Sequence, residues 1–172
     1  MNQPSPAAVI GYNPRYAAAM LDNLGGKNSE MSSFAFYLYA GLLAAGVPGA
    51  AALFQQIRSE ELNHLDTFAR LALELGENPR LWALMEQSRR YQYWNPTYTP
   101  YPPVTPVPGK TISPANLRLL LSQAIEGEQN SIDKYRNQTL WIQDPYVIRQ
   151  LEQIIAEDQH HLELLTRLYH QV

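Results

Sequence analysis

Glu61 and His64, and likewise Asp158 and His161, are a carboxylate and an imidazole three residues apart. On a helix that spacing places both groups on one face, so each pair can aim an oxygen and a nitrogen ligand at one point. Two lone glutamates, Glu30 and Glu128, are each followed seven residues later by a tyrosine, Tyr37 and Tyr135. One Glu from each of two helices, with a carboxylate-x-x-His pair from each of two others, is the arrangement that builds a dinuclear metal site inside a bundle. The chain has no cysteine, and its oxygen ligands outnumber its nitrogens. Hard to borderline, redox-active ions, iron or manganese, therefore fit better than structural zinc.

A single carboxylate-x-x-His on a helix is usually a solvated pair, so the weight falls on repetition and on burial. With a shift of 97 the stretch 54–71 overlays 151–168, keeping Gln56/Gln153, Ile57/Ile154, Glu60/Glu157, His64/His161, Leu65/Leu162, Arg70/Arg167 and Leu71/Leu168. A long-period repeat defines the structural unit, here a pair of helices. Each half's apolar stripe is interrupted at the same place. Glu61 and His64 stand between Ile57 and Phe68, and Asp158 and His161 between Ile154 and Leu165. Carboxylates crowded into such an interior must be protonated, paired or metal-bound, and no Lys or Arg falls on the same inward faces. The same stripe argument prefers His161 to His160, although Glu157 and His160 have identical spacing. Glu60, Glu157 and Glu126 are expected at the surface or at helix contacts, and His170 at a helix C-terminus. Tyr37 and Tyr135 are placed either to hydrogen-bond a ligand carboxylate or relay an electron, or simply to pack in the core.

Helices must position these groups, and proline marks where they start. Asn13-Pro14, Val47-Pro48, Ser113-Pro114 and Asp144-Pro145 open four long segments, with Asn, Ser and Asp as good caps and Val47 the exception. The expectation is one all-α domain over 1–172. It consists of a helical hairpin 14–75, a short helix 79–90, a Pro- and Tyr-rich crossover 91–112 and a second hairpin 114–171. The crossover carries Tyr91, Tyr93, Trp94, Tyr98 and Tyr101 among its prolines, which favours an extended path. At ~3.1 Å per residue it outruns the ~38 Å of a 25-residue helix, so the second hairpin can restart at the opposite end. A four-helix bundle with one long crossover between helices 2 and 3 follows. At Gly25-Gly26 a kinked continuous helix is expected.

Composition narrows the function. A net charge of -3 with both signs mixed along the chain argues against nucleic acid as a partner. The absence of cysteine rules out disulfides, thiol nucleophiles and iron-sulfur clusters in this polypeptide. Neither a basic, apolar leader nor an apolar run of ~20 residues is found, so the expected setting is soluble and cytoplasmic, with no membrane partner.

The set Glu30, Glu61-x-x-His64, Glu128 and Asp158-x-x-His161, with Tyr37 and Tyr135, resembles the ferritin-like superfamily, and within it rubrerythrin-like and manganese-catalase-like proteins. The segments from Leu24 to Glu30 and from Ile142 to Pro145 also look like small bacterial ferritin-like proteins, some associated with spores. The resemblance implies an up-down-down-up bundle holding two iron ions or, alternatively, two manganese ions. Glu30 and Glu128 would be terminal ligands, Glu61 and Asp158 bridging ligands, and His64 and His161 the nitrogen ligands. Two departures stand out. Ser131 occupies a place where rubrerythrins carry an extra ligand glutamate, and Asp158 is one methylene shorter than Glu. In manganese catalases the carboxylate at that place lies in the outer sphere.

The implied function is a dinuclear metal oxidoreductase acting on peroxide, dioxygen or ferrous iron, as a peroxidase or ferroxidase. Redox cycling would then need an external electron donor. The alternatives are manganese-catalase-like dismutation of hydrogen peroxide, or a structural, coat-type protein with a storage or vestigial site. Related bundles often dimerise through helix faces, which the exposed aromatics here would allow.

Overall fold

The computed structural model describes residues 8–26, 28–80 and 110–172. Five helices are found there: α1 (Pro14–Gly25), α2 (Glu30–Leu43), α3 (Pro48–Glu74), α4 (Pro114–Thr139) and α5 (Pro145–Tyr169). The described residues contain no strand. No helix among them is long and apolar enough to cross a membrane. Most of the expected short helix 79–90 and most of the crossover 91–112 lie outside the described residues.

All four proline starts hold, each for a local reason. The Asn13 side chain accepts from the N–H groups of Arg15 and Tyr16, Ser113 from that of Asn116, and Asp144 from those of Tyr146 and Val147. These side chains satisfy donors that the first helical turn leaves unpaired. Val47 makes no side-chain cap bond.

The kinked continuous helix expected at Gly25-Gly26 is incorrect: the chain breaks there into α1 and α2. Gly26 leaves the helix in an extended conformation, its N–H bonded to Asp22 O at 2.8 Å. A Cβ on Gly26 would meet that same carbonyl oxygen at 2.6 Å, so the exit requires glycine. Asn28 takes a left-handed φ of 50°, a conformation Asn tolerates. Ser29 then caps α2 by accepting from Ser32 N–H. A Gly-Gly pair is compatible with kink and termination alike, and the Ser29 cap makes this one a termination. A side chain from the other half closes the corner. Lys134 Nζ reaches Asp22 Oδ2 at 2.9 Å and the backbone oxygens of Asp22 at 3.0 Å and Asn28 at 3.3 Å.

Short links make α2 with α3, and α4 with α5, antiparallel neighbours. α1 packs chiefly against α3, while α2, α3, α4 and α5 pack together around the core. That core has two apolar lobes. One gathers Met20, Phe68, Ile132, Tyr135 and Ile154, and the other Tyr37, Phe54, Ile57, Ala124 and Leu165. Along α3, α4 and α5 the chain passes from one lobe to the other through the candidate ligands. At ~1.5–3 kcal/mol for each large apolar side chain buried, the lobes offset a polar layer that costs energy to desolvate.

Beside the first lobe, the buried amides of Asn23 and Gln138 exchange two hydrogen bonds of 2.6 and 2.8 Å. Replacing Asn23 by Leu strands the partner amide and is expected to cost about 1–3 kcal/mol in urea unfolding. The double change Asn23→Leu with Gln138→Met should cost less than the sum of the two single changes.

Candidate metal centre

Between the two lobes lie Glu30, Glu61, His64, Glu128, Asp158 and His161, all between 0 and 4 % exposed. The structure thus brings together all six residues singled out as ligands, and buries Tyr37 and Tyr135 beside them. His160 and Glu126 are exposed, and His170 caps the C-terminus of α5. Ser131 is buried on the same face as Glu128.

The six side chains form two overlapping donor sets. Single ligand atoms of Glu61, Glu128, Asp158 and His161 all lie within 4.8 Å of one another, as do those of Glu30, Glu61 and His64. Glu61 belongs to both. Its Oε2 is 3.5 Å from His64 Nδ1 and its Oε1 is 3.5 Å from His161 Nδ1, so one carboxylate faces both imidazoles. Asp158 Oδ1 stands between the rings, 3.6 Å from His64 Nδ1 and 3.9 Å from His161 Nδ1.

Each imidazole is oriented from outside. His64 Nε2 is 2.8 Å from Glu157 Oε2, and His161 Nε2 is 2.6 Å from Glu60 Oε2. An ionised carboxylate can only accept, so Nε2 carries the proton and a neutral ring turns the Nδ1 lone pair inward. Glu60 and Glu157 are half-buried, with 36 and 42 % of their side chains exposed. Each is steadied by a glutamine one turn earlier, through Gln56 Nε2 to Glu60 Oε1 at 3.1 Å and Gln153 Nε2 to Glu157 Oε1 at 3.0 Å. Sequence reasoning set these glutamates aside as surface or helix-contact residues. The signal for them was present in the repeat, which keeps both Gln56/Gln153 and Glu60/Glu157.

The tyrosines also act across the bundle. Tyr37 OH donates to Glu128 Oε1, and Tyr135 OH donates to Glu30 Oε1. Each phenol therefore serves the lone glutamate of the other half, not the one on its own helix. Burial, then the adjacent carboxylates, hold both phenols well above the ordinary tyrosine range, which keeps them as donors.

The electrostatics express the crowding. Burial, and then the charge of Glu30, push the Glu61 carboxyl up to about 8. Asp158 is likewise raised well above its ordinary range by burial and by Glu128, Glu30 and Glu61. Burial also opposes ionisation of Glu30, but the neighbouring Glu61, His64 and Tyr135 side chains outweigh it and lower that carboxyl to about 2. The imidazoles move upward. Desolvation disfavours their charge, yet the surrounding carboxylates hold His64 well above its usual value and raise His161 to about 11. Lys134 is an amine whose charge is felt at Glu30. It sits at the α1–α2 corner, where burial lowers its pKa against the pull of Asp22 and Glu30.

Whether cations fit can be judged from atoms left without partners. His64 Nδ1, His161 Nδ1 and both Asp158 carboxylate oxygens are buried and make no hydrogen bond. Orphaned groups of this kind are costly in a folded interior. Both Nδ1 atoms and Asp158 Oδ1 lie together beside Glu61, so the layer offers oxygen and imidazole nitrogen donors that could hold a metal ion. No protein-family model matches the chain, and no curated protein sequence matches it.

Stability of the metal-free protein should fall as pH rises from about 5 to 8. Glu61 has a folded pKa of about 8 against an ordinary 4.5, so its contribution is complete below 4.5 and lost on the way to 8. Asp158 acts in the same sense, and His161 loses its contribution as pH climbs from 6.5 toward 11. Glu30 opposes them only in acid, between 4.5 and about 2. Manganese(II) binding must displace the ligand protons, so the stabilisation it adds should grow over the same window, read from melting temperatures at pH 5, 6.5 and 8. Separately, Glu157→Gln and Glu60→Gln should each weaken metal binding by roughly 10–100-fold while the fold persists, measured by competition with a chelator.

Proposed function

We propose that this chain is a ferritin-like, dinuclear metal carboxylate protein, with two iron ions as its resident cofactor, that reduces peroxide or dioxygen or oxidises ferrous iron. The observation carrying the proposal is the pairing of two overlapping donor sets with two inward, unpartnered imidazole nitrogens. An up-down-down-up course is supported by the cross-bundle contacts. Tyr37 reaches Glu128 while Tyr135 reaches Glu30, so α2 and α4 run antiparallel; the His64–Glu157 and His161–Glu60 contacts require the same of α3 and α5.

In this reading Glu30 and His64 would hold one ion and Glu128 and His161 the other, with Glu61, a member of both donor sets, and Asp158 supplying further carboxylate oxygens. When bound, a pair of such ions would supply one-electron redox capacity at each metal and Lewis acidity toward a substrate oxygen bond. The protein does the remaining work. Tyr37 and Tyr135 hold one oxygen of each terminal glutamate, which leaves the other oxygen to face the ions. Glu157 and Glu60 fix the tautomer of each histidine. The apolar lobes, through Phe54 beside Tyr37 and Phe68 beside Tyr135, keep bulk water from both sides of the layer.

The manganese reading draws on one feature, the short Asp158 carboxylate. It leaves a group with two unpartnered oxygens that can serve as a proton acceptor next to the ions.

Anaerobic loading of the purified chain with iron(II), followed by elemental analysis, is expected to give two ions per chain. The double change Glu61→Gln with His64→Ala should reduce that number. Peroxide added to the loaded protein should be consumed only with an electron donor present if the activity is peroxidatic. Oxygen release without a donor identifies dismutation, and iron(II) oxidation by dioxygen alone identifies a ferroxidase. Failure to retain either iron or manganese refutes the proposal.

A further inference from the structure

The internal duplication makes each half of the chain a control for the other, and at the ligand layer the halves differ. The donor set at His161 has four members, with carboxylates from Glu61, Glu128 and Asp158; the set at His64 has three, with carboxylates from Glu30 and Glu61. Although Asp158 Oδ1 is 3.6 Å from His64 Nδ1, this side chain does not close a set with Glu30. It lacks the methylene that gives Glu61 a place in both.

The backbone under the two lone glutamates differs as well. Glu128 lies in the middle of α4, with helix on either side. Glu30 is the first residue of α2, immediately after the break at Gly26 and the left-handed Asn28. Two sources of positive potential adjoin it. The N-terminal N–H groups of α2 are one. The other is Lys134, whose ammonium bonds Asn28 O and interacts electrostatically with Glu30. Affinity at an oxygen-rich cation site follows the number of charged ligands and the rigidity of the framework that carries them. Both factors favour the His161 side.

We propose that the two ion positions are unequal: the one formed by Glu61, Glu128, Asp158 and His161 fills first and retains its ion, and the one formed by Glu30, Glu61 and His64 is the exchangeable position. This rests on the dinuclear reading and adds an order of loading to it. A chain emptied on the Glu30 side keeps one ion and one complete pair of imidazole and outer glutamate, so the one-ion form is a defined state.

The test is a titration of the metal-free, full-length chain with manganese(II), followed by native mass spectrometry and electron paramagnetic resonance. At one equivalent the one-ion species should dominate and give the six-line signal of an isolated ion. The second equivalent should convert it to a coupled signal, with dissociation constants at least about tenfold apart. Glu30→Gln is expected to abolish the second step and leave the first unchanged. Glu128→Gln or the nearly isosteric Asp158→Asn should weaken the first step, with circular dichroism and melting curves establishing that each variant is folded. Two ions entering together with a coupled signal from the outset would overturn the order of loading while leaving the dinuclear reading intact, as would loss of the first step in Glu30→Gln. A wild-type chain that binds neither manganese nor iron overturns both.

Discussion

Burying Glu30, Glu61, Glu128 and Asp158 in one layer of a helical core is the constraint to which the rest of the structure answers. Like charges at such separations cannot all be ionised in a poorly solvated interior without counter-charge. In the metal-free molecule protons supply part of it, held on Glu61 and Asp158 and on the two imidazoles. In the proposed reading, divalent cations would meet the same need and would also give partners to the Nδ1 atoms and the Asp158 oxygens, which make no hydrogen bond. The apolar lobes on either side make the layer affordable and also keep it dry.

The way that layer is held explains why the repeat matters mechanically. Neither helical pair completes its own half of the site. The phenol of Tyr37 belongs to the first half and holds Glu128 of the second, while Tyr135 returns the contact to Glu30. Glu157 orients His64 and Glu60 orients His161 by the same exchange. Four reciprocal hydrogen bonds therefore lock the two hairpins to each other at the candidate site itself. The layer and the docking of the hairpins are one structural event, and a hairpin alone would present a carboxylate-x-x-His pair with nothing to orient it.

The pseudo-symmetry is broken where the chain turns. α4 runs unbroken through Glu128, whereas its counterpart is divided into α1 and α2, and the division falls just before Glu30. Lys134, a residue of α4, secures that corner by bonding both sides of the break. One half of the site is thus built on a continuous helix and the other on a helix end.

Much of this was legible in the residues alone. Spacing of three placed each carboxylate with its histidine, interrupted apolar stripes located the polar layer, and prolines marked four helix starts, because all three follow from local periodicity and local backbone chemistry. The helix break was misread, since a Gly-Gly pair is compatible with both kink and termination; what decides is a carbonyl contact and a lysine a hundred residues away. Pairings across the bundle could not be derived from spacing at all. Tyr37 shares a helix face with Glu30, and only the antiparallel approach of α4 makes Glu128 its partner. Glu60 and Glu157 point off the ligand face of their own helices, and only the neighbouring helix gives them a histidine to hold. The sequence determined which side chains must share a buried layer, because periodicity acts within a helix. The tertiary structure alone decided which group bonds which, because those contacts join residues that no local rule connects.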